Sequence, residues 1–297
     1  MKQTWLNKLN YRLYFLWQRV TQRKFRTLRK LRICDDVTTV NKIVTERCSM
    51  SRFGDGELKL LTGKDTDFQQ ANDEICCKLR TILHDDNEGL LVGLPYTWHE
   101  LGKLKYRAYE FWSSYLAREL DSTILPAVNL NKQYYDSIFT RFYIDYKSPE
   151  HARRLIPLIK KIWQDRHVCI VEGKYSRLGV GNDFFDNAAS VSRILCPPTN
   201  AFSVYNQILA EVSKQPRETL VLLALGMTAT CAAYDIHKLG YQAVDVGHVD
   251  IEYEWFRMGA KDKVPVKNKY VAEAGRLSGE IDLQDEKYKS QIIADLS

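Results

Sequence analysis

The stretch RFGDGE (52–57) sets Asp55 and Glu57 one residue apart, between glycines and just behind Arg52. An Asp-x-Glu pair at the end of a strand offers hard oxygen ligands to one Mg²⁺ or Mn²⁺ and leaves other coordination positions to water and a diphosphate. Gly54 and Gly56 let a ligand approach the backbone, and Arg52 can pair with a phosphate or hold the carboxylates. The plainer use of two acids at a helix start is to complement its dipole, worth about 0.3–1 kcal/mol.

Four further stretches carry similar chemistry. VEGKYSRLGVGNDFF (171–185) packs Glu172, Lys174, Arg177, Gly181, Asn182 and Asp183 into one loop after an apolar run. A glycine-rich loop with Lys and Arg suits a phosphate-bearing ligand, although it matches neither a P-loop nor G-x-G-x-x-G; its structural reading is a surface loop with Asp183 capping the next helix. LGMTAT (225–230) reads as a strand, a turn and a helix start, where free N–H groups at Gly226 and Thr228 favour an anion. In GHVDIEYEW (247–255) an extended chain would put His248, Asp250, Glu252 and Glu254 on one face and Val249, Ile251, Tyr253 and Trp255 on the other. Such a row of ionisable groups needs a cation or a base among them, so His248 or Asp250 is expected to complete a metal site or supply an acid–base group. TRFYIDY (140–146) adds Arg141 among aromatics, a place for a ligand's ring or phosphate or simply a packed cluster.

These groups need elements to hold them. HVCIVEG (167–173), SVSRILC (190–196), TLVLLALG (219–226) and YQAVDVG (241–247) read as strands, with helices over 200–214 and 228–240 between them. The first half gives helices near 36–48, 56–62, 68–84 and 103–120 and a strand at 89–95, and Met50 to Phe53 finishes a strand that opens into ELKLLTG. Alternation of this kind predicts α/β architecture, a Rossmann-like, mostly parallel sheet flanked by helices, with ligands outside the carboxyl ends of the strands. A single domain over 35–262 is expected, preceded by a basic amphipathic helix within 1–34 and followed by a polar tail, 263–297.

The bulk composition narrows the class. At 297 residues, 45% hydrophobic and 27% charged, the chain is an ordinary globular one without an apolar stretch long enough to span a bilayer. Its seven cysteines are odd in number and never spaced C-x-x-C, which suggests neither a disulfide framework nor a zinc site and fits a reducing cytoplasm. The net charge of +6 arises from residues 1–32, which hold ten Lys or Arg and no acid, so the remainder is net acidic. Trp5, Leu9, Leu13, Leu16 and Val20 recur there at helical spacing. Such a helix lies on an anionic membrane face, or docks on its own domain or on a second copy as in a homodimer; nucleic acid is not the expected partner.

Taken together and in order, RFGDGE, TRFYIDY, VEGKYSRLGVGND, SRILCPPTNAF, LGMTATCAAYD and GYQAVDVGHVDIEYEW resemble the GT-D type glycosyltransferases over roughly residues 45 to 260. The resemblance implies a Rossmann-like fold, a UDP-linked sugar donor and a divalent cation, usually Mn²⁺, at the Asp-x-Glu motif. By position Asp55 and Glu57 are that motif, His248 is a further metal ligand, and the Arg177 to Asp183 loop belongs to the donor pocket. Asp250 is the expected base for an acceptor hydroxyl on a glycan, glycoprotein or lipid-linked saccharide. Met227 departs from the family, where proline is expected. Two other classes stay open: a metal-dependent phosphoesterase or nucleotidyltransferase, told apart by its products, UMP and sugar phosphate, and a non-catalytic nucleotide- or membrane-binding module.

Overall fold

The computed structural model describes residues 27–274 and 276–297, with Arg12, Leu13 and Leu16 before them. Most of the expected N-terminal helix therefore lies outside the described residues. From the first strand onward the order is β1 (Arg32–Ile33), α1 (Asp36–Thr45), β2 (Ser49–Arg52), α2 (Asp55–Leu60), α3 (Asp73–His84), β3 (Leu90–Leu94), α4 (Tyr106–Glu119), β4 (Gln133–Asp136) and α5 (Glu150–Lys160). It continues with β5 (His167–Gly173), β6 (Ser190–Cys196), α6 (Tyr205–Ser213), β7 (Leu220–Ala224), α7 (Met227–Lys238), β8 (Gln242–Asp245), α8 (Val249–Met258), β9 (Lys269–Val271), β10 (Arg276–Ser278), α9 (Glu286–Gln291) and β11 (Ile292–Asp295).

Nine strands form one sheet in the order β1-β4-β3-β2-β8-β7-β5-β6-β11, and every pairing in it is parallel. LLVGL in β3 is buried at every position, and LVLL of β7 likewise, because helices cover both faces of a parallel sheet. One apolar layer joins α3, α4, α6 and α7 to the sheet through Leu79, Trp112, Ile208 and Ala232. The other joins α1, α5 and α8 through Val40, Leu155 and Tyr253, with Trp163 at its centre. Local signals start the helices where expected: Asp35 caps α1 on Thr38 N–H at 2.8 Å, and Asn72 caps α3 on Ile75 N–H at 2.9 Å.

Two expectations are corrected. GHVDIEYEW does not extend a strand; it is the turn into α8, with His248 at the N-cap. Alternation misled because this helix is covered all round. Val249 and Tyr253 pack on the sheet side, while Ile251 and Trp255 pack with Ile144, Val266 and Val271. Each apolar pair is four residues apart, as are the polar pairs His248/Glu252 and Asp250/Glu254 between them. The region 263–297 is also no tail: β9 and β10 form an antiparallel ribbon, and β11 extends the main sheet by pairing with β6. No described helix is long and apolar enough to cross a membrane.

The chain visits β2, β3 and β4 on one side and β5, β6 and β7 on the other, and returns to place β8 beside β2. The strand order thus reverses at β2/β8, with Met50 opposite Val244. Open α/β sheets bind ligands at such a reversal, outside the carboxyl ends.

Candidate active site

RFGDGE and GHVD leave the sheet side by side at this reversal. The turn between β2 and α2 has Gly54 as N-cap, and Glu57 Oε2 reaches back to accept its N–H at 2.7 Å. Burial pushes the Glu57 carboxyl up to about 7; the Gly54 N–H acts the other way and the Asp245 charge adds to the rise. Asp55 is exposed and makes no hydrogen bond or ion pair with the described residues. Gly56 leaves room for little else, since a Cβ there would lie 2.9 Å from Met227 Sδ. The departure at Met227 therefore packs directly on the acidic motif.

Arg52 is fully occupied by the fold. Its Nη2 meets Asp245 Oδ1 at 2.7 Å and its Nε donates to Asp245 O at 2.8 Å, while Nη1 donates to Ser137 O at 2.9 Å and Thr140 Oγ1 at 2.8 Å. It ties β2, β8 and the segment after β4 into one edge. Gly247, at φ +44°, lies against the guanidinium, where any side chain would collide with it.

His248 sits at the end of this edge, with Nδ1 buried and lacking a hydrogen-bond partner, 3.5 Å from Glu273 Oε2. Burial lowers its pKa to about 4; Glu273 acts upward, and Arg141 and Arg52 add to the drop, so the ring is neutral at physiological pH. Glu273 also takes Arg141 Nη1 at 2.5 Å. Burial alone would raise the Glu273 pKa, but Arg141 and His248 outweigh it and hold the carboxylate well below its usual range. One turn along α8, Glu252 accepts the N–H groups of Tyr143 and Ile144 at 2.8 and 2.9 Å through Oε2, and its Oε1 is buried without a partner. Burial pushes this acid up to about 7.

Other expected site residues serve the framework. Asp250 is 1% exposed; its Oδ2 meets Lys269 Nζ at 2.5 Å and its Oδ1 accepts Asn182 Nδ2 at 2.8 Å. A carboxylate spent in this way does not suit a base that must reach an acceptor hydroxyl, which corrects the role expected for Asp250. Glu172 is buried against Arg193 at 2.5 Å and accepts Leu178 N–H at 2.7 Å. Arg177 donates to the carbonyls of Asn268, Glu280 and Ile281, and so clamps the C-terminal segment. Lys174 reaches Asp295 at 3.6 Å, and Asp183 accepts Tyr253 Oη at 2.8 Å in a run of turns where no helix follows for it to cap. Gly181, at φ +78°, lines an open cleft of about 520 Å³ with Arg257 and Tyr288. Gly226, at φ +55°, is the N-cap of α7, and the buried hydroxyl of Thr228 donates to Gln69 at 3.0 Å.

The structure therefore gathers Asp55, Glu57 and His248 at one edge, with Arg141 behind, and leaves Lys174, Arg177, Asn182, Asp183 and Asp250 to hold the C-terminal segment and α8. Sequence reasoning missed Asp245, Glu273 and Lys269. Only Asp245, at the end of an apolar strand, carried a local signal. Among the described residues no three His, Cys, Asp or Glu side chains form a ready metal cage. The donors instead suit a hard cation that retains water and phosphate oxygens: Asp55 is unpartnered, His248 turns Nδ1 to Glu273 and makes no hydrogen bond through Nε2 to the described residues, and the raised Glu57 acid gains most from a nearby positive charge.

Residues 50–274 match the model of a family described as glycosyltransferase GT-D fold. Glycosyltransferase GlyD of Streptococcus pneumoniae serotype 4 is 36% identical over 257 residues, 86% of this chain and 31% of that protein. Probable glycosyl transferase Gly of Streptococcus gordonii is 36% identical over 262 residues, 87% of this chain and 38% of that one. The chain thus spans about a third of the length of these relatives. Among solved structures, a domain of unknown function 1792 described as having a distinct glycosyltransferase fold superposes with a TM-score of 0.87 at 32% identity, covering 92% of this chain and 99% of that one. A glycosyltransferase of the same domain type from Streptococcus sanguinis gives 0.84 at 34% identity, covering 90% and 100%.

Proposed function

The chain belongs to the GT-D glycosyltransferase family, and on that premise we propose that it transfers a sugar, a hexose carried on UDP, to a glycan, glycoprotein or lipid-linked saccharide acceptor with the help of Mn²⁺ or Mg²⁺. The observation that carries this reading is that the turn bearing the unpartnered Asp55 and the capped Glu57 and the turn bearing His248 leave the adjacent strands β2 and β8 at the same edge of the sheet. Asp55, Glu57 and His248 would hold the cation, which when bound supplies positive charge to the departing diphosphate.

The remaining steps fall to the chain's own groups. The Arg52–Asp245 pair fixes the two strand ends so that both motifs keep their spacing. Arg141 is the cation behind His248; its pair with Glu273 holds it there, where its charge offsets part of that on a donor phosphate. Burial of Glu252 and of the Nδ1 atom of His248 shields this wall of the site from water, which strengthens any charge interaction made there. If the acceptor is lipid-linked, the protein works at the cytoplasmic membrane face; removing residues 1–32 is then expected to abolish sedimentation with anionic liposomes, and full sedimentation without them would exclude that role.

The test of the main reading is calorimetric titration of UDP into the protein with Mn²⁺ and with EDTA, repeated on Glu57→Ala. Binding is expected to require both the metal and Glu57. Tight binding in EDTA, or an unchanged Glu57→Ala isotherm, would overturn the metal assignment.

A further inference from the structure

The ribbon formed by β9 and β10 is anchored with unusual care for a surface segment. Lys269, 1% exposed, is buried between Asp250 at 2.5 Å and Glu254 at 3.2 Å. Arg177 holds three of the segment's carbonyls, and Tyr270 N–H bonds Tyr175 O at 2.9 Å. Tyr270 also meets the ring of Phe68 edge-on at 6.4 Å, which ties the ribbon to the loop after α2. Two residues beyond Val271, this framework delivers Glu273 to His248 and Arg141.

From this geometry we infer that Glu273 is the positioning residue for His248: its Oε2 accepts the proton on Nδ1, fixing the tautomer that leaves the Nε2 lone pair free to hold a cation. This rests on the metal reading above. A neutral imidazole has one protonated and one bare nitrogen, and a carboxylate beside one of them stabilises the proton there. Nδ1 has Glu273 as its carboxylate neighbour at 3.5 Å, longer than a good hydrogen bond, so a shift of a few tenths of an ångström completes the contact. Arg141 holds the other oxygen, Oε1, so the carboxylate cannot rotate away without breaking that pair. Metal-bound histidines are commonly held by such a carboxylate, and losing it typically weakens metal affinity 10–100-fold. Glu273 touches neither substrate nor cation in this scheme; it acts through His248.

The experiment has two arms on the full chain. In the first, side-chain ¹⁵N NMR of the ligand-free protein reads the His248 tautomer, with its signals assigned by their loss in His248→Gln. The Nδ1-protonated form is expected in wild type and a shift toward the Nε2-protonated form in Glu273→Ala. In the second, free Mn²⁺ is followed by electron paramagnetic resonance in the presence of UDP for wild type, His248→Ala, Glu273→Ala and Glu273→Gln. Glu273→Ala is expected to bind Mn²⁺ 10–100-fold more weakly. Glu273→Gln, whose amide oxygen still accepts from Nδ1 and whose size protects the fold, is expected to recover part of the loss. An Nε2-protonated His248 in wild type overturns the inference. So does a Glu273→Ala variant with wild-type tautomer and affinity while His248→Ala is impaired, and that result leaves the metal reading standing. If His248→Ala itself binds Mn²⁺ normally, the metal role of His248 fails, and the inference fails with it.

Discussion

Replacing Lys269 with methionine separates a framework from a catalytic role at Asp250. At an effective dielectric of about 20, charges 2.5 Å apart attract by roughly 7 kcal/mol. Desolvation costs several kcal/mol for each ion, so the intact pair comes out near neutral. Removing Lys269 alone spares only its own desolvation and strands Asp250 beside Glu254, with the Asn182 amide as the remaining donor to both. Breaking a buried pair in this way costs about 3–5 kcal/mol, a large share of the roughly 5–15 kcal/mol of a typical fold. With a urea dependence near 2 kcal/mol/M, the midpoint should fall on the order of 2 M. Asp250→Asn added to Lys269→Met removes the stranded charge and should recover about 1–3 kcal/mol. Urea unfolding followed by circular dichroism, beside turnover per folded molecule, gives both readings. Asp250→Asn should keep turnover within a few-fold. A loss of about 10²–10⁴ in turnover with an unchanged midpoint would refute the framework role and reinstate Asp250 as a base.

Two further substitutions probe the sheet's carboxyl edge. Burial pushes Asp136 from 3.8 up to about 7, against the Ile138 and Tyr96 N–H groups it accepts, so the unfolded chain ionises first and stability drains away as pH climbs from about 4 to 7. Asp136→Asn keeps the accepting oxygen without the charge, and its melting temperature should exceed wild type at pH 8 by a gap that closes toward pH 4; parallel curves would contradict this. Gly247→Ala combines a left-handed backbone with a collision at Arg52 and should cost about 2 kcal/mol or more. Gly102→Ala, with open space around it, is the control, and equal urea midpoints for the two variants would count against the crowding at Arg52.

The sequence carried the fold where burial leaves a local mark. β5 and β7 are apolar runs buried along nearly their whole length, β6 is buried over its second half, and the limits of all three fall within about two residues of expectation. QYYD and IIAD, as β4 and β11, had no such mark: each is short, half-exposed on alternate residues, and specified by a partner strand instead of its own composition. β11 joins the sheet only because β6 leaves an edge open to it, a property of the assembled sheet that no window along the chain contains.

The same reasoning explains which site residues were legible. Asp55, Glu57 and His248 stand at turns that immediately follow strands, so chain order alone placed them at the sheet's carboxyl edge. For Arg177 and Asp250 the residue type was informative and the partner was not. A guanidinium after a strand serves a phosphate or a set of carbonyls equally well, and here the carbonyls lie 91 to 104 residues further along. Asp250 likewise finds Lys269 only because α8 is a helix, turning Asp250 and Glu254 to one side and His248 and Glu252 to another. Had the segment been extended, all four would have shared a face, and Asp250 would have stood as a base beside the proposed cation site. The helix divides them: one pair anchors the C-terminal ribbon through Lys269, and the other faces Arg141 and the carboxylate that the ribbon brings. The basic loop and the acidic row thus serve the site at one remove, by fixing the segment on which Glu273 stands.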